Sequence, residues 1–331
     1  MASIAGYGVY IPRYRIKAEE IHQAWGRVGG RGEKSVAAPD EDVLTMGVKA
    51  AQEALRRADL TGAELGAVYL ASVSSGYAEN ALAAQVAHML GARQDVAVAD
   101  FGLSTRSVTS ALRACADAIE TGRVGYGLLV ASDRLRAKPG SDYELSYAAG
   151  AGALVVSKEG LADLEAFVAS SSGFVGRVRA EGQFHGMVDE RFVMQHGFLE
   201  HITQAAQAIA TGFDEFAHVV LHAPDGRWGS RALAQMDIDV KKLVATFAQI
   251  GYAGCASFLI DLAYALERST LGQRVLAVSY GPGGSDALAL RVKEQFARTV
   301  GVLSMEEQLQ RKEYVSYPTY LRYSGLLGGS G

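Results

Sequence analysis

Apolar residues along this chain fall into short unbroken runs, separated by longer stretches where they recur every three or four positions. The runs predict buried strands, and the recurrences predict helices packed against them. Residues 4–9 (IAGYGV) predict a first strand, and residues 10–16 its exit, broken at Pro12. The sequence Pro39-Asp40-Glu41-Asp42 predicts a helix start, because proline and acids suit a first turn, with apolar periodicity continuing to Ala54. Residues 67–72 read as a short buried strand, 77–90 as an alanine-rich helix and 96–100 as another strand. A mostly apolar helix then leads into a strand over 127–131, followed by a further strand over 150–157. The pattern restarts near 164–170, and HVVLH (218–222) matches the earlier AVYLAS run in position. A second helix and strand follow, then the turn Gly281-Pro282-Gly283-Gly284-Ser285-Asp286 and a last strand over 287–292. Strands alternating with helices in two matching sets predict an α/β architecture of paired halves.

The pairing is visible in the residues themselves. Residues 110–133 (SALRACADAIETGRVGYGLLVASD) lie without a gap over 257–280 (SFLIDLAYALERSTLGQRVLAVSY), an offset of 147. Ser110/Ser257, Leu112/Leu259, Ala116/Ala263, Ala118/Ala265, Glu120/Glu267, Gly125/Gly272, Leu129/Leu276 and Ser132/Ser279 are identical. A duplicated chain arranges equivalent elements about a pseudo-twofold axis. The starts of the two repeated helices are then expected to face each other, each carrying unpaired N–H groups and partial positive charge.

Composition narrows the function. The 331 residues are 49% hydrophobic with six prolines, enough for a large core in two fused halves, expected at 1–163 and 164–331. A net charge of −4 leaves no electrostatic footprint for nucleic acid or an acidic membrane surface. No apolar run reaches the ~20 residues of a membrane span, and the first residues lack a signal-peptide pattern. Two cysteines, Cys115 and Cys255, supply neither a disulfide framework nor a metal cluster, so a cytoplasmic protein without a metal is expected. Residues 325–331 (GLLGGSG) read as a flexible tail. The glycine-rich turns GAGAL and GPGGSD are not G-x-G-x-x-G, and no Walker pattern occurs, which argues against a dinucleotide or NTP site. Their glycines are expected to admit close approach of a ligand or of the opposite half.

Several separated motifs carry a family resemblance: IAGYGVYIPRYRI, EKSVAAPDEDVLTMGVKAA, SYAAGAGALVVSKEG, LHAPDGR, VLAVSYGPGGSDALAL and YVSYPTYLRYSG. Together, in this order, they resemble the hydroxymethylglutaryl-CoA synthases, in their compact archaeal and bacterial form, over nearly the whole chain. The resemblance implies the thiolase fold, two αβαβα halves in five layers, and a homodimer formed through the N-terminal half. It also implies a Claisen-type condensation. A Cys thiolate at a helix start takes an acetyl group, a Glu acts as acid/base, and a His and an Asn orient the second acyl-CoA and its oxyanion.

Carried over residue by residue, the nucleophile position falls on Thr105, after Ala99-Asp100, and the acid/base position on Val73. The Asn position falls on Tyr252, which the 147-residue offset pairs with Thr105. The His is retained as His222, ahead of Pro224 and Gly226. A threonine hydroxyl needs an adjacent general base to attack a thioester, and Val73 removes one. Losing one oxyanion donor typically costs ~10²–10³ in rate, so ordinary synthase activity is not expected. Cys255, near the second helix start, is either a relocated nucleophile or a packing residue. His222 is either catalytic or a retained fold residue. His185 lies where the family has a His-Gly near the site mouth, and Gly283, Gly284 and Ser285 are candidates to line an acyl-CoA channel. Tyr314, Tyr317, Tyr320 and Tyr323 are expected to pack along the subunit.

Three readings follow. In the first, the chain is a synthase-like subunit without its own acyl-enzyme, assembled with a thiolase-type subunit and an OB-fold zinc-binding (DUF35-like) protein. Acyl-CoA is then substrate or ligand, and nothing is bound covalently. In the second, it is an enzyme with altered, non-covalent chemistry on an acyl-CoA through His222. In the third, it is a purely structural homologue.

Overall fold

The computed structural model describes residues 1–180, 182–187, 189–210, 212–294 and 299–327. The end of the expected tail, 328–331, lies outside the described residues. Strands run in chain order as β1 (Ser3–Tyr10), β2 (Tyr14–Lys17), β3 (Glu33–Val36), β4 (Ala67–Ala71), β5 (Ala97–Phe101), β6 (Tyr126–Arg134) and β7 (Ala149–Ser157). They continue as β8 (Ala162–Ser171), β9 (Arg177–Val178), β10 (Gly186–Met187), β11 (Phe216–Leu221), β12 (Arg274–Gly281), β13 (Gly284–Val292) and β14 (Glu313–Tyr314).

Nine of these strands form one hydrogen-bonded sheet in the order β11-β12-β13-β8-β1-β7-β6-β4-β5. Its two wings mirror each other. In the first, β7 runs antiparallel between β1 and β6, and β4 lies parallel between β6 and β5. In the second, β13 runs antiparallel between β8 and β12, and β11 lies parallel to β12. The wings meet in a short antiparallel contact, Ser3 opposite Asp163 and Ile4 opposite Ala162. The counterpart of β5 in the second wing is reduced to a bridge between Val219 and Leu243.

Helices pack in three layers around these wings, giving three main cores among the described residues, with two smaller clusters beside them. The Ser107–Glu120 and Cys255–Arg268 helices share the central one with residues of both wings. The Val43–Arg57 and Leu82–Met89 helices cover the first wing, and the Glu200–Ile209 and Trp228–Gln235 helices cover the second. This is the expected five-layer arrangement. The repeated elements coincide within one residue of the 147-residue offset, helix on helix and β6 on β12.

Local chemistry explains the element limits. Asp42 caps its helix, accepting from Thr45 N while Thr45 Oγ1 accepts from Asp42 N, a reciprocal box that satisfies two end donors. Gly8 lets β1 lie against that helix: a Cβ there would sit 1.9 Å from the Ala50 carbonyl oxygen. The helix expected from Tyr77 begins only at Leu82, where Asp100 accepts from Ala83 N at 3.0 Å. The tail helix Tyr317–Tyr323 packs with Ile16, Ile21 and Val36, burying Tyr320.

One joint between the two halves at the centre is Asp133, the penultimate residue of β6. Its Oδ1 accepts from Ser72 Oγ (2.9 Å), Val73 N (2.8 Å) and Ser74 Oγ (2.6 Å), and its Oδ2 from Cys255 N (2.7 Å). The carboxylate thus sits at the start of the second repeated helix, where a negative charge is favoured. Gly254, at φ +55°, admits it, since a Cβ there would lie 2.3 Å from Asp133 Oδ2. Asp133→Ala would leave two buried backbone N–H groups and two hydroxyls without their acceptor. A loss of at least about 3 kcal/mol in urea unfolding is expected, and a loss under about 1 kcal/mol would refute the joint.

Candidate active site

Thr105 lies two residues before the first repeated helix and Tyr252 three before the second. Both line a cavity of about 930 Å³ between the halves, so the pairing by offset brings them to one place. Thr105 is buried, and its hydroxyl donates to the Tyr280 carbonyl oxygen at 3.0 Å. The close approach depends on Gly281, where a Cβ would stand 2.8 Å from Thr105 Oγ1. Arg106, the next residue, is held from the second half by Asp286, in an ion pair of 2.8 Å.

His222 is nearly inaccessible and does not line the cavity. Its Nε2 lies 2.7 Å from the Gly254 carbonyl oxygen, which requires that nitrogen to carry the proton, and its Nδ1 has no partner. The Tyr252 ring packs beside it, centroids 5.4 Å apart at 31°. Burial foremost, with the charge of Arg177 adding to it, pushes the imidazole down to about 4, so it is neutral at neutral pH. Tyr252 thus takes the place at the cavity wall that the resemblance gave to the His–Asn pair.

Val73 is partly buried, donating its N–H to Asp133 and accepting from Arg179 at its carbonyl. It offers no titratable group. Cys255 is fully buried, its Sγ 3.6 Å from Ser107 Oγ and 3.8 Å from the Ser104 carbonyl oxygen. Burial, then the nearby Asp133 carboxylate, pushes the thiol well above its ordinary value, the opposite of what a nucleophile needs. Gly283, Gly284 and Ser285 stand behind the wall: Gly283 O accepts from Arg106, Gly284 packs against the Ser170 carbonyl, and Ser285 is buried. From that turn only Gly281 and Pro282 reach the cavity. Within the turn it is Gly281 and the Gly283 carbonyl that meet the opposite half, at Thr105 and Arg106.

His185 does line the cavity, edge-on to Tyr147 with centroids 5.1 Å apart. Burial, then Arg177 and Arg179, depress it to about 3. The remaining wall was not anticipated. Tyr143 stacks on Tyr147 at 4.9 Å, Tyr280 closes another side, and Arg177 donates to Tyr147 Oη at 2.9 Å. The mouth carries His22, Arg27, Arg31, Lys138 and Arg227.

No family model matches the chain. The hydroxymethylglutaryl-CoA synthase of Methanothermobacter thermautotrophicus is 34% identical over 343 residues, covering 99% of each chain. The chain belongs to the hydroxymethylglutaryl-CoA synthase family. Among solved structures, an HMG-CoA synthase complexed with CoA superposes with a TM-score of 0.85 at 19% identity, covering 97% of this chain and 89% of that one. The HMG synthase of the curacin biosynthetic pathway, in complex with an acetyl donor acyl carrier protein, gives 0.84 at 19%, covering 98% and 88%. These structures establish the thiolase fold for this family member.

Neutral burial of His222 has a sign that can be measured. A base whose folded value lies below its unfolded one loses stability as pH falls through the unfolded value toward the folded one. The stability advantage of the wild type over His222→Gln should therefore shrink by about 3 kcal/mol between pH 6.5 and pH 4. Urea titrations at both pH values test this, and a constant difference would contradict it. In Tyr252→Asn, the His222 NMR titration should move up toward 6.5 as the ring is lost.

Proposed function

We propose that the chain is an HMG-CoA synthase-like subunit that binds an acyl-CoA without forming an acyl-enzyme of its own. It works with a thiolase-type subunit and an OB-fold zinc-binding protein in making or breaking C–C bonds of acyl-CoA thioesters. The observation that carries this reading is the state of Thr105. Its proton is committed to a backbone carbonyl, and Val73 stands where a carboxylate base is expected. A hydroxyl so placed lacks the activation that covalent catalysis requires. Cys255, held as a thiol in the interior, does not replace it.

The cavity supports the ligand class. It is large enough for an acyl-pantetheine arm, and among the described residues Arg31 and Lys138 at its mouth are exposed and form no ion pair. Such cations suit the phosphates of CoA. The relatives named for CoA or carrier-bound acyl groups favour the same class.

Assembly as a homodimer is supported by β5. This strand ends the sheet, and its sequence AVADF is exposed or half-exposed at every position, with Val98 41% accessible. An edge strand with its outer side unpaired is a template for pairing with another chain. We place the dimer contact there, with the sheet continuing into the second copy.

A second reading retains catalysis. Thr105 and Tyr252 both line the cavity, and the phenol is a candidate donor toward a thioester carbonyl. In that case Tyr252→Phe abolishes turnover of the isolated chain.

Two experiments decide. After incubation with acetyl-CoA, intact-mass spectrometry of the isolated chain should show no acetyl adduct, and co-expression with a thiolase and an OB-fold partner should yield a co-purifying, active assembly. An ester on Thr105, a thioester on Cys255, or full synthase activity of the chain alone would overturn the proposal. Val98→Asp should convert the homodimer to monomer in light scattering, while an unchanged mass would move the contact elsewhere.

A further inference from the structure

Arg177 is the one cation in the inner wall of the cavity among the described residues, the others standing at its mouth. Its guanidinium carbon lies 5.6 Å from the Tyr147 ring centroid and 5.4 Å from that of Tyr252, and one nitrogen donates to Tyr147 Oη at 2.9 Å. Burial works against its charge, but the surrounding tyrosine hydroxyls, Tyr147 foremost, hold it above its ordinary value. It is therefore a permanent cation with aromatic rings against it and one of five N–H donors used.

No described carboxylate is bonded to it. The acids that line the cavity are engaged at the mouth. Asp142 lies 3.9 Å from Arg27, and Asp225 and Glu190 lie 3.1 and 3.8 Å from Arg227. Asp189 caps Phe192 N. Beside Arg177, the buried His185 Nδ1 also lacks a partner. A buried polar atom without a partner costs free energy that a ligand recovers on binding.

The N–H donors left unused on this guanidinium match the two oxygens of a carboxylate. A phosphate, with its larger charge, is better served by the several cations at the mouth. We propose that Arg177, with His185 beside it, forms a carboxylate subsite, so that the cavity takes an acyl group ending in a carboxylate rather than a plain alkyl chain. The proposal rests on the acyl-CoA reading and names the substrate class within it.

Calorimetric titration with succinyl-CoA and butyryl-CoA, which differ in charge at the far end, tests it. The wild type should bind succinyl-CoA about ten- to a hundredfold more tightly, the scale of a charged hydrogen-bonded pair. Arg177→Met should reduce that preference to less than about twofold, and Arg177→Lys should retain part of it, with thermal melts confirming that both variants fold. Equal affinities in the wild type, or a preference that survives Arg177→Met, would overturn the subsite. Free succinate against succinamide separates this from the broader reading. If neither thioester binds but the wild type still selects succinate and Arg177→Met does not, the subsite stands and the acyl-CoA reading falls. If succinate does not bind either, both fall.

Discussion

The site depends on a single arrangement: each repeated helix begins against the end of a strand from the other half. Asp133 closes β6 and receives the first N–H of the Cys255–Arg268 helix. Its counterpart at the 147-residue offset, Tyr280 near the end of β12, gives its carbonyl to Thr105 ahead of the Ser107–Glu120 helix. Both contacts require a glycine to bring the backbone close, Gly254 at one and Gly281 at the other. The polar groups at the two helix starts, which a condensing enzyme would direct at substrate, are here spent on joining the halves. A buried acceptor with four donors is costly to disturb, so this joint also fixes where the cavity wall stands.

Once those groups are committed, the electrostatics of the cavity follow. Its inner wall holds phenols, a neutral imidazole and one guanidinium, with no base among them that is ionised and near Thr105. Arg177 itself works against such a base, because its charge adds to burial in depressing both His185 and His222. Proton abstraction and anion binding make opposite demands on a small enclosed space. The first needs a group that accepts a proton, and the second needs fixed positive charge that discourages one. The proposed carboxylate subsite at Arg177 meets the second demand and not the first.

The architecture was legible in the sequence because duplication leaves a numerical trace. The offset of 147 aligned helices and strands within one residue and predicted that Thr105 and Tyr252 would meet. Motif likeness carried the family. Burial and direction were less legible. His222 keeps its place in the chain, but the larger Tyr252 ring now occupies the wall, and no single-sequence pattern reports such a substitution in space. The turn's glycines read as admitting either a ligand or the opposite half; Gly281 packs on Thr105 and Gly283 gives its carbonyl to Arg106, while Gly284 packs on Ser170 of its own half. Arg177 lies in SGFVGRVRA, a stretch with neither period nor motif, and its role emerges only when three elements bring Tyr147, Tyr252 and His185 around it.

The halves have also diverged at their outer edges, and the divergence bears on assembly. In the first, β5 is a full strand that ends the sheet with its outer edge unpaired. In the second, the corresponding segment is a single bridge at Leu243, followed by the buried Val244. Two open edges on a sheet of nine strands would invite end-to-end growth into a filament, because each copy would offer a different surface at each end. Shrinking one edge to a bridge leaves a single extended edge, and in the proposed homodimer pairing through it would close after two copies. In that proposal the asymmetry between the halves supplies an assembly limit that symmetric duplication alone would not provide.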